Sequence, residues 1–211
     1  MEKTLKPHFF VNGKINNSLS YAEYFELFKE KAEKIIDVEL NNDEISQLNL
    51  TKLNFQRSSR INKTYTVSAD FCEKIKSINK PQIWMLITED WCGDSAQNIP
   101  HIVKMAECNS LIDLEIVLRD TNLDIIDNYL TNGVSRSIPK FVAFDLDGNE
   151  LFQWGPRPQE AQEVVNAAKA SGKPKEEFLN ELHLWYARNK GKALENEFNE
   201  LIEKLAVTVQ N

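Results

Sequence analysis

Long apolar runs are missing from the chain. None of its 211 residues belongs to a stretch approaching the roughly 20 that span a bilayer, so no membrane association is expected. Cysteine is scarce. Cys72, Cys92 and Cys108 are an odd set with no closely spaced pair, which argues against a disulfide scaffold and for a reducing, cytoplasmic setting. Histidine is equally scarce. His8, His101 and His183 are isolated, and no Cys/His spacing suits zinc. No metal and no cofactor are expected. Basic charge is outweighed, with 25 Lys and Arg against 32 Asp and Glu, net −7. Phosphate contacts need a basic surface, so a nucleic-acid partner is not expected. The start, Met1 to His8, is not followed by the apolar core of a signal peptide. Internal repeats and low-complexity segments are absent as well.

What is present is an ordinary globular pattern, 42% hydrophobic. Residues 1–18 are weakly patterned and hold one turn signal, Asn12-Gly13. Ser20 and Glu23 fit a capping box. Tyr21, Tyr24, Phe25, Phe28, Ile35 and Ile36 follow at helical spacing, predicting a helix over about 20–36 that packs through Tyr24, Phe25 and Phe28. A weaker helix carries Ile45, Leu48, Leu53 and Phe55 and runs into Arg57, Arg60 and Lys63. Such a basic helix pair suits a small DNA-reading unit or a solvated face; in an acidic chain the solvated face is the plainer reading.

From residue 64 the elements alternate. Thr64–Val67 is β-prone, and Ser68 precedes a helix with Phe71, Ile75 and Ile78. Ile83–Thr88 reads as a strand, followed by a turn at Trp91-Cys92-Gly93 and a helix to about Cys108 that contains Pro100. Leu114–Leu118 is a second apolar strand, and Leu123, Ile126, Tyr129 and Leu130 mark a helix stopped by Asn132-Gly133. Phe141–Phe144 and Leu151–Trp154 are strands joined through Asp147-Gly148, a strong hairpin signal. Helices are predicted over about 158–169 and over 175–205 with a break near Gly191. The fold class is therefore α/β, a mixed sheet with helices on both faces.

The chemical centre is the Trp91-Cys92-Gly93-Asp94-Ser95 turn. Cys92 stands where a helix begins, where free N–H groups and the helix dipole favour a thiolate. Glu89, Asp90 and Asp94 oppose it, so positive charge from elsewhere matters; Arg136 and Arg157 are the candidates. Ser95, three residues on, returns to the face of Cys92. Cys108 lies about 24 Å along a straight helix from Cys92, too far for a disulfide, which needs Cα atoms within about 7 Å. Cys72, on another helix, stays open as a partner for Cys92. Phe178, Leu182, Trp185 and Tyr186 form an apolar stripe suited to core or docking.

These residues resemble the thioredoxin family, whose motif is Trp-Cys-Gly-Pro-Cys with a kinking proline eight residues beyond the first cysteine. Cys92 and Pro100 have that separation. Gly133-Val-Ser-Arg-Ser-Ile-Pro-Lys140 is similar to the family's Gly-Val-Arg-Ser-Ile-Pro-Thr with one residue inserted. The resemblance implies a cis Ile138–Pro139 bond facing Cys92, and a substrate-contacting glycine at Gly155, sixteen residues after Pro139. Ile87–Asp94, Leu118-Arg-Asp120 and Trp154–Pro158 resemble phrases of a bacterial monothiol subgroup. The implied organisation is an N-terminal helical extension, 1–63, a thioredoxin-like domain, 64–172, and a C-terminal helical extension, 173–211.

Two departures matter. Ser95 replaces the family's second cysteine, and Leu86 its buried acid. The implied function is monothiol thiol–disulfide exchange in cell redox homeostasis, with Cys92 and Ser95 catalytic. Trp91, Gly93, Asp94, Arg136, Ile138, Pro139, Gly155 and Arg157 would bind substrate. The partners would be a protein disulfide or low-molecular-weight thiol and an external resolving thiol. Monothiol glutaredoxins share Cys-x-x-Ser, but their Gly-Phe middle is absent here, which sets an iron–sulfur cluster lower. The alternative is a non-catalytic module binding a peptide or small anion in the same cleft.

Overall fold

The computed structural model describes residues 6–35 and 40–209; the expected helical position Ile36 lies outside them. The chain divides into two compact units, 1–156 and 157–211.

In the first unit, β1 (Phe10–Val11) and β2 (Lys14–Ile15) form a small hairpin. Asn12 and Gly13 both take positive φ at its turn, as a two-residue hairpin turn requires. The weakly patterned start has a packing role: Phe9, Phe10 and Ile15 join Ile83, Met85, Ile87, Val142 and Phe144 in one apolar cluster. Helix α1 (Tyr21–Glu33) opens with the expected Ser20/Glu23 capping box. It ends before Ile35, which is 89% exposed and not part of the helix face. Tyr24 and Phe28 are buried, and Phe25 and Phe28 meet Phe55 of the next helix at ring separations of 5.2 and 5.4 Å.

That helix, α2 (Asn42–Thr64), is the longest described, with its own capping box on Asn41 and Glu44. It continues to Thr64, so the expected strand over 64–67 does not form. Instead Tyr65 stacks edge-on against His101 at 4.2 Å, and the outer edge of the sheet is met by Leu19, which exchanges two 2.8 Å backbone hydrogen bonds with Ile116.

Helix α3 (Ala69–Lys76) leads into β3 (Gln82–Thr88), α4 (Gly93–Ala106), β4 (Ile112–Leu118), the short α5 (Leu123–Ile126) with a 3-10 turn, and β5 (Lys140–Asp145) with β6 (Glu150–Trp154). The sheet order is β4-β3-β5-β6, with β3 parallel to β4 and the other pairs antiparallel. Every residue of β3 is buried, as an unbroken apolar run between helical layers predicts. Trp84, Phe141 and Phe152 form an aromatic cluster within this sheet, with Trp84 edge-on to Phe141 at 5.2 Å.

The scarce cysteines argue against a disulfide scaffold and leave Cys72 open as a partner for Cys92; the partner it takes is Cys108. Cys72 of α3 and Cys108, just beyond α4, are bonded, with Cα atoms 5.6 Å apart. Spacing along the chain could not reveal this, because α3 and the far end of α4 approach only through the fold. Asn109 draws them together by donating its side-chain amide to the Ile75 and Ile78 carbonyls, both at 2.8 Å.

The second unit holds α6 (Gln159–Ala170), α7 (Lys175–Asn189) and α8 (Lys192–Val209). Lys190 and Gly191 have positive φ at the expected break. Ala161, Val165, Leu182 and Tyr186 form its core, with Trp185 packed alongside. The helix expected to close the thioredoxin-like domain, α6, thus groups with the C-terminal helices. No described helix is long and apolar enough to cross a membrane.

Candidate active site

The site is the turn between β3 and α4. Cys92 is the N-cap of α4, with extended backbone, and Gly93, Asp94 and Ser95 form the first turn. Pro100, within the same helix, has no N–H to give the Ala96 carbonyl. Ser58 of α2 supplies a donor instead, Oγ to the Ala96 oxygen at 3.2 Å. The helix that begins at Cys92 is therefore completed by α2.

Cys92 is 9% exposed, and its Sγ donates to the Ile138 carbonyl oxygen at 3.3 Å. The Ile138–Pro139 bond is cis, as is Gly155–Pro156. Gly155 has φ +122°, and a Cβ there would run into the Pro139 carbonyl oxygen. Glycine is therefore what lets the end of β6 lie against the proline.

The expected thiolate-favouring environment is not what the structure supplies. Burial pushes the Cys92 thiol up, and the Asp94 carboxylate adds to this; the Ser95 hydroxyl and the amides of Ser95 and Asp94 pull the other way without prevailing. A helix start lowers a thiol's pKa when solvent and cations help it, but desolvation of the charged form is the larger effect here. Ser95 Oγ is 1% exposed and has no partner of ordinary hydrogen-bonding geometry. While Cys92 is a thiol its proton lies toward Ile138; an ionised sulfur would offer Ser95 an acceptor.

Cys92, Asp94, Ser95 and Ile138 are thus brought together, with Pro139 and Gly155 adjoining. Trp91 is half-buried at the rim. Its Nε1 donates to Asp120 Oδ2 at 3.3 Å, and the Arg119 guanidinium lies 4.8 Å over its ring. Arg119 also binds Asp120 Oδ1 through Nε at 2.8 Å and Nη2 at 2.6 Å. The Arg136 guanidinium is engaged by Asp127, at 2.6 and 2.8 Å, while its carbonyl accepts from Arg119 Nη1 at 3.3 Å. Arg157 begins the second unit and donates to Gln162 at 2.8 Å.

Arg119 and Asp120 were legible as the phrase Leu118-Arg-Asp120 but not as the rim that holds Trp91. Glu89 is buried and accepts the Asp120 N–H at 2.7 Å; burial pushes its carboxyl up. Asp90 is bound by side chains of α1 and α2 that the sequence reading did not connect with the site. Among the described residues, no group of three or more His, Cys, Asp or Glu is placed to hold a metal.

A family model described as thioredoxin matches residues 41–170, more than half the chain, and takes in α2. No curated protein matches. Two solved structures are similar. One is a protein of unknown function from Pseudomonas aeruginosa, 16% identical, TM-score 0.52, covering 90% of this chain and 99% of that one. The other is an HIV epitope-scaffold, also 16% identical with TM-score 0.52, covering 88% of this chain and 99% of that one. At such identities the likeness is one of fold.

Proposed function

The chain belongs to the thioredoxin family, and from that premise we propose that it is a monothiol thiol–disulfide exchange protein reacting through Cys92. The reading is supported by one arrangement above all: Cys92 at the start of α4, its Sγ against the Ile138 carbonyl and a buried Ser95 hydroxyl without an acceptor. Ionised Cys92 attacks one sulfur of a substrate disulfide. That S–S bond breaks, a mixed disulfide forms, and the released thiolate takes up a proton. An external thiolate then attacks the substrate sulfur of the mixed disulfide and frees Cys92. The external thiol ends in a new disulfide with the substrate sulfur, so one disulfide is exchanged for another with no net oxidation or reduction, and Ser95 cannot take the resolving role.

Trp91, Gly93, Ile138, Pro139 and Gly155 would border the substrate, a protein disulfide or low-molecular-weight thiol, and Arg136 would meet its anionic groups. The finer resemblance to a bacterial monothiol subgroup, a role in redox homeostasis and a cytoplasmic setting belong to the same reading. In a reducing cytoplasm the Cys72–Cys108 bond would be open to reduction.

A second reading, a non-catalytic module binding a peptide or small anion, is favoured by the same burial and Asp94 charge that hold Cys92 protonated. Oxidised glutathione separates the two. Exchange adds one glutathione at Cys92, seen by mass spectrometry, removed by reductant and absent from Cys92→Ser. An unmodified Cys92 after long exposure at mildly alkaline pH overturns exchange and leaves the binding module.

A further inference from the structure

Asp90, two residues before Cys92, is 6% exposed and is held from two helices. Lys31 Nζ of α1 pairs with its Oδ2. Thr51 Oγ1 of α2 donates to its Oδ1 at 3.1 Å, and Asn54 Nδ2 of α2 to its backbone oxygen at 3.1 Å. Thr51 and Asn54 are themselves 4% and 1% exposed. Buried polar groups are costly unless hydrogen-bonded, and these two meet that demand at the active-site turn. Tyr24 of α1 is buried in the same place. Burial and then the Asp90 charge push its phenol up, while a Thr88 side-chain hydrogen bond opposes this.

The charges around the turn are unequal in effect. Asp94 opposes ionisation of Cys92. Asp90 has the same charge at the same distance along the chain, but an ammonium group lies against it. The Lys31 side chain is 49% exposed, so replacing it leaves the apolar face of α1 intact. The groups facing this turn are Tyr24 and Lys31 from α1, Thr51 and Asn54 from α2, the neighbouring Glu89, Asp94 and Ser95 from α4, and Arg119 and Asp120 from the segment after β4, which lie against Trp91 and Glu89.

We propose that Lys31 is a positioning residue for Cys92, acting through Asp90: its ion pair fixes the turn that carries the thiol and cancels a negative charge beside it. The N-terminal helices are then part of the reacting site. This rests on Cys92 being the reacting group.

The test is the rate of Cys92 alkylation by iodoacetamide against pH, in the full chain without reductant, where Cys72 and Cys108 are bonded to each other. Lys31→Met moves the midpoint to higher pH by about half to one unit, through an uncompensated neighbouring charge. Below the midpoint its rate falls about three- to tenfold. Lys31→Arg, which keeps the charge, stays within about twofold of the parent. The Asp90→Asn/Lys31→Met double variant returns toward the parent midpoint.

A folded Lys31→Met protein with an unmoved midpoint overturns the proposal and reduces the helix pair to packing. If Lys31→Met does not fold, Lys31→Gln is read the same way. Alkylation reports the thiol alone. A lysine-dependent midpoint without a glutathione adduct would sink exchange and spare this proposal; an adduct with an indifferent midpoint would do the reverse.

Discussion

Ser58 donates its hydroxyl to the Ala96 carbonyl that Pro100 leaves without a helical partner. Both residues are buried, so removing the donor strands an oxygen away from water. Ser58→Ala should lower stability by about 1–3 kcal/mol, the cost of an unsatisfied buried polar group. Denaturant unfolding measures it. A loss of only a few tenths would mean that water reaches Ala96 in place of the hydroxyl.

The Cys72–Cys108 bond closes a loop across a sequence separation of 36 residues. Loop-closure entropy of that size corresponds to about 3–4 kcal/mol. Reductant, or the Cys72→Ser/Cys108→Ser double variant, should therefore lower stability by roughly that amount while leaving the secondary structure in place. Asn109 still holds the end of α3 in the reduced protein. Free-thiol titration before and after unfolding under non-reducing conditions identifies the bonded form.

Much of this architecture was readable from pattern. The capping box at Ser20, the apolar Ile83–Ile87 run of β3, the Asp147-Gly148 hairpin and the Cys92 helix follow from local chemistry. What escaped has a common cause, contact between segments distant in sequence. Thr51, Asn54 and Ser58 recur at helical spacing and face inward, yet all three are polar, so hydrophobic periodicity does not register them. Their partners, Asp90 and Ala96, are fixed by how α2 lies on the turn. The β-prone Thr64–Val67 was misread for the opposite reason: local propensity favoured a strand, but α2 runs to Thr64 and Tyr65 finds His101. The sequence leaves the ionisation of Cys92 open, because the helix start and the neighbouring acids are visible there and burial is not.

That burial has a pH signature. The Cys92 pKa is raised above the ordinary thiol value, first by desolvation and then by Asp94. The ionised, reactive form should become dominant only above the pH at which an exposed cysteine ionises. Alkylation should stay slow at neutral pH and climb into the alkaline range. Asp94→Asn removes the second cause and not the first, so its midpoint should fall yet remain above that of a small-molecule thiol. A parent midpoint at or below the ordinary value would refute this account of the site.

Gly155 tests the contact behind the cleft. At φ +122° a side chain is strained wherever there is room, and here its Cβ would meet the Pro139 carbonyl. Gly155→Ala should cost about 1–3 kcal/mol for the backbone conformation alone, with the collision added. Because Ile138 accepts the Cys92 hydrogen bond one residue before that proline, the variant should also change the Cys92 alkylation rate. Unfolding midpoints and alkylation measured on the same preparation check both.

Ser95→Cys asks whether the missing second thiol is the only thing that makes the mixed disulfide persist. Ser95 and Cys92 share the first turn of α4, and the Ser95 hydroxyl is close enough to the sulfur to favour its ionised form. A thiol at position 95 would therefore stand beside the Cys92 sulfur as soon as an adduct formed. With oxidised glutathione the parent should accumulate one glutathione on Cys92 and stop there, since Cys72 and Cys108 are bonded to each other. In the Ser95→Cys variant the new thiolate attacks Cys92, expels glutathione as a thiol and closes a 92–95 disulfide. The mass should then fall by two hydrogens relative to the variant before glutathione is added, with no glutathione retained. A lasting adduct on the variant would show that burial at position 95 blocks the attack. The thiol's surroundings, and not only the identity of residue 95, would then set the one-thiol chemistry.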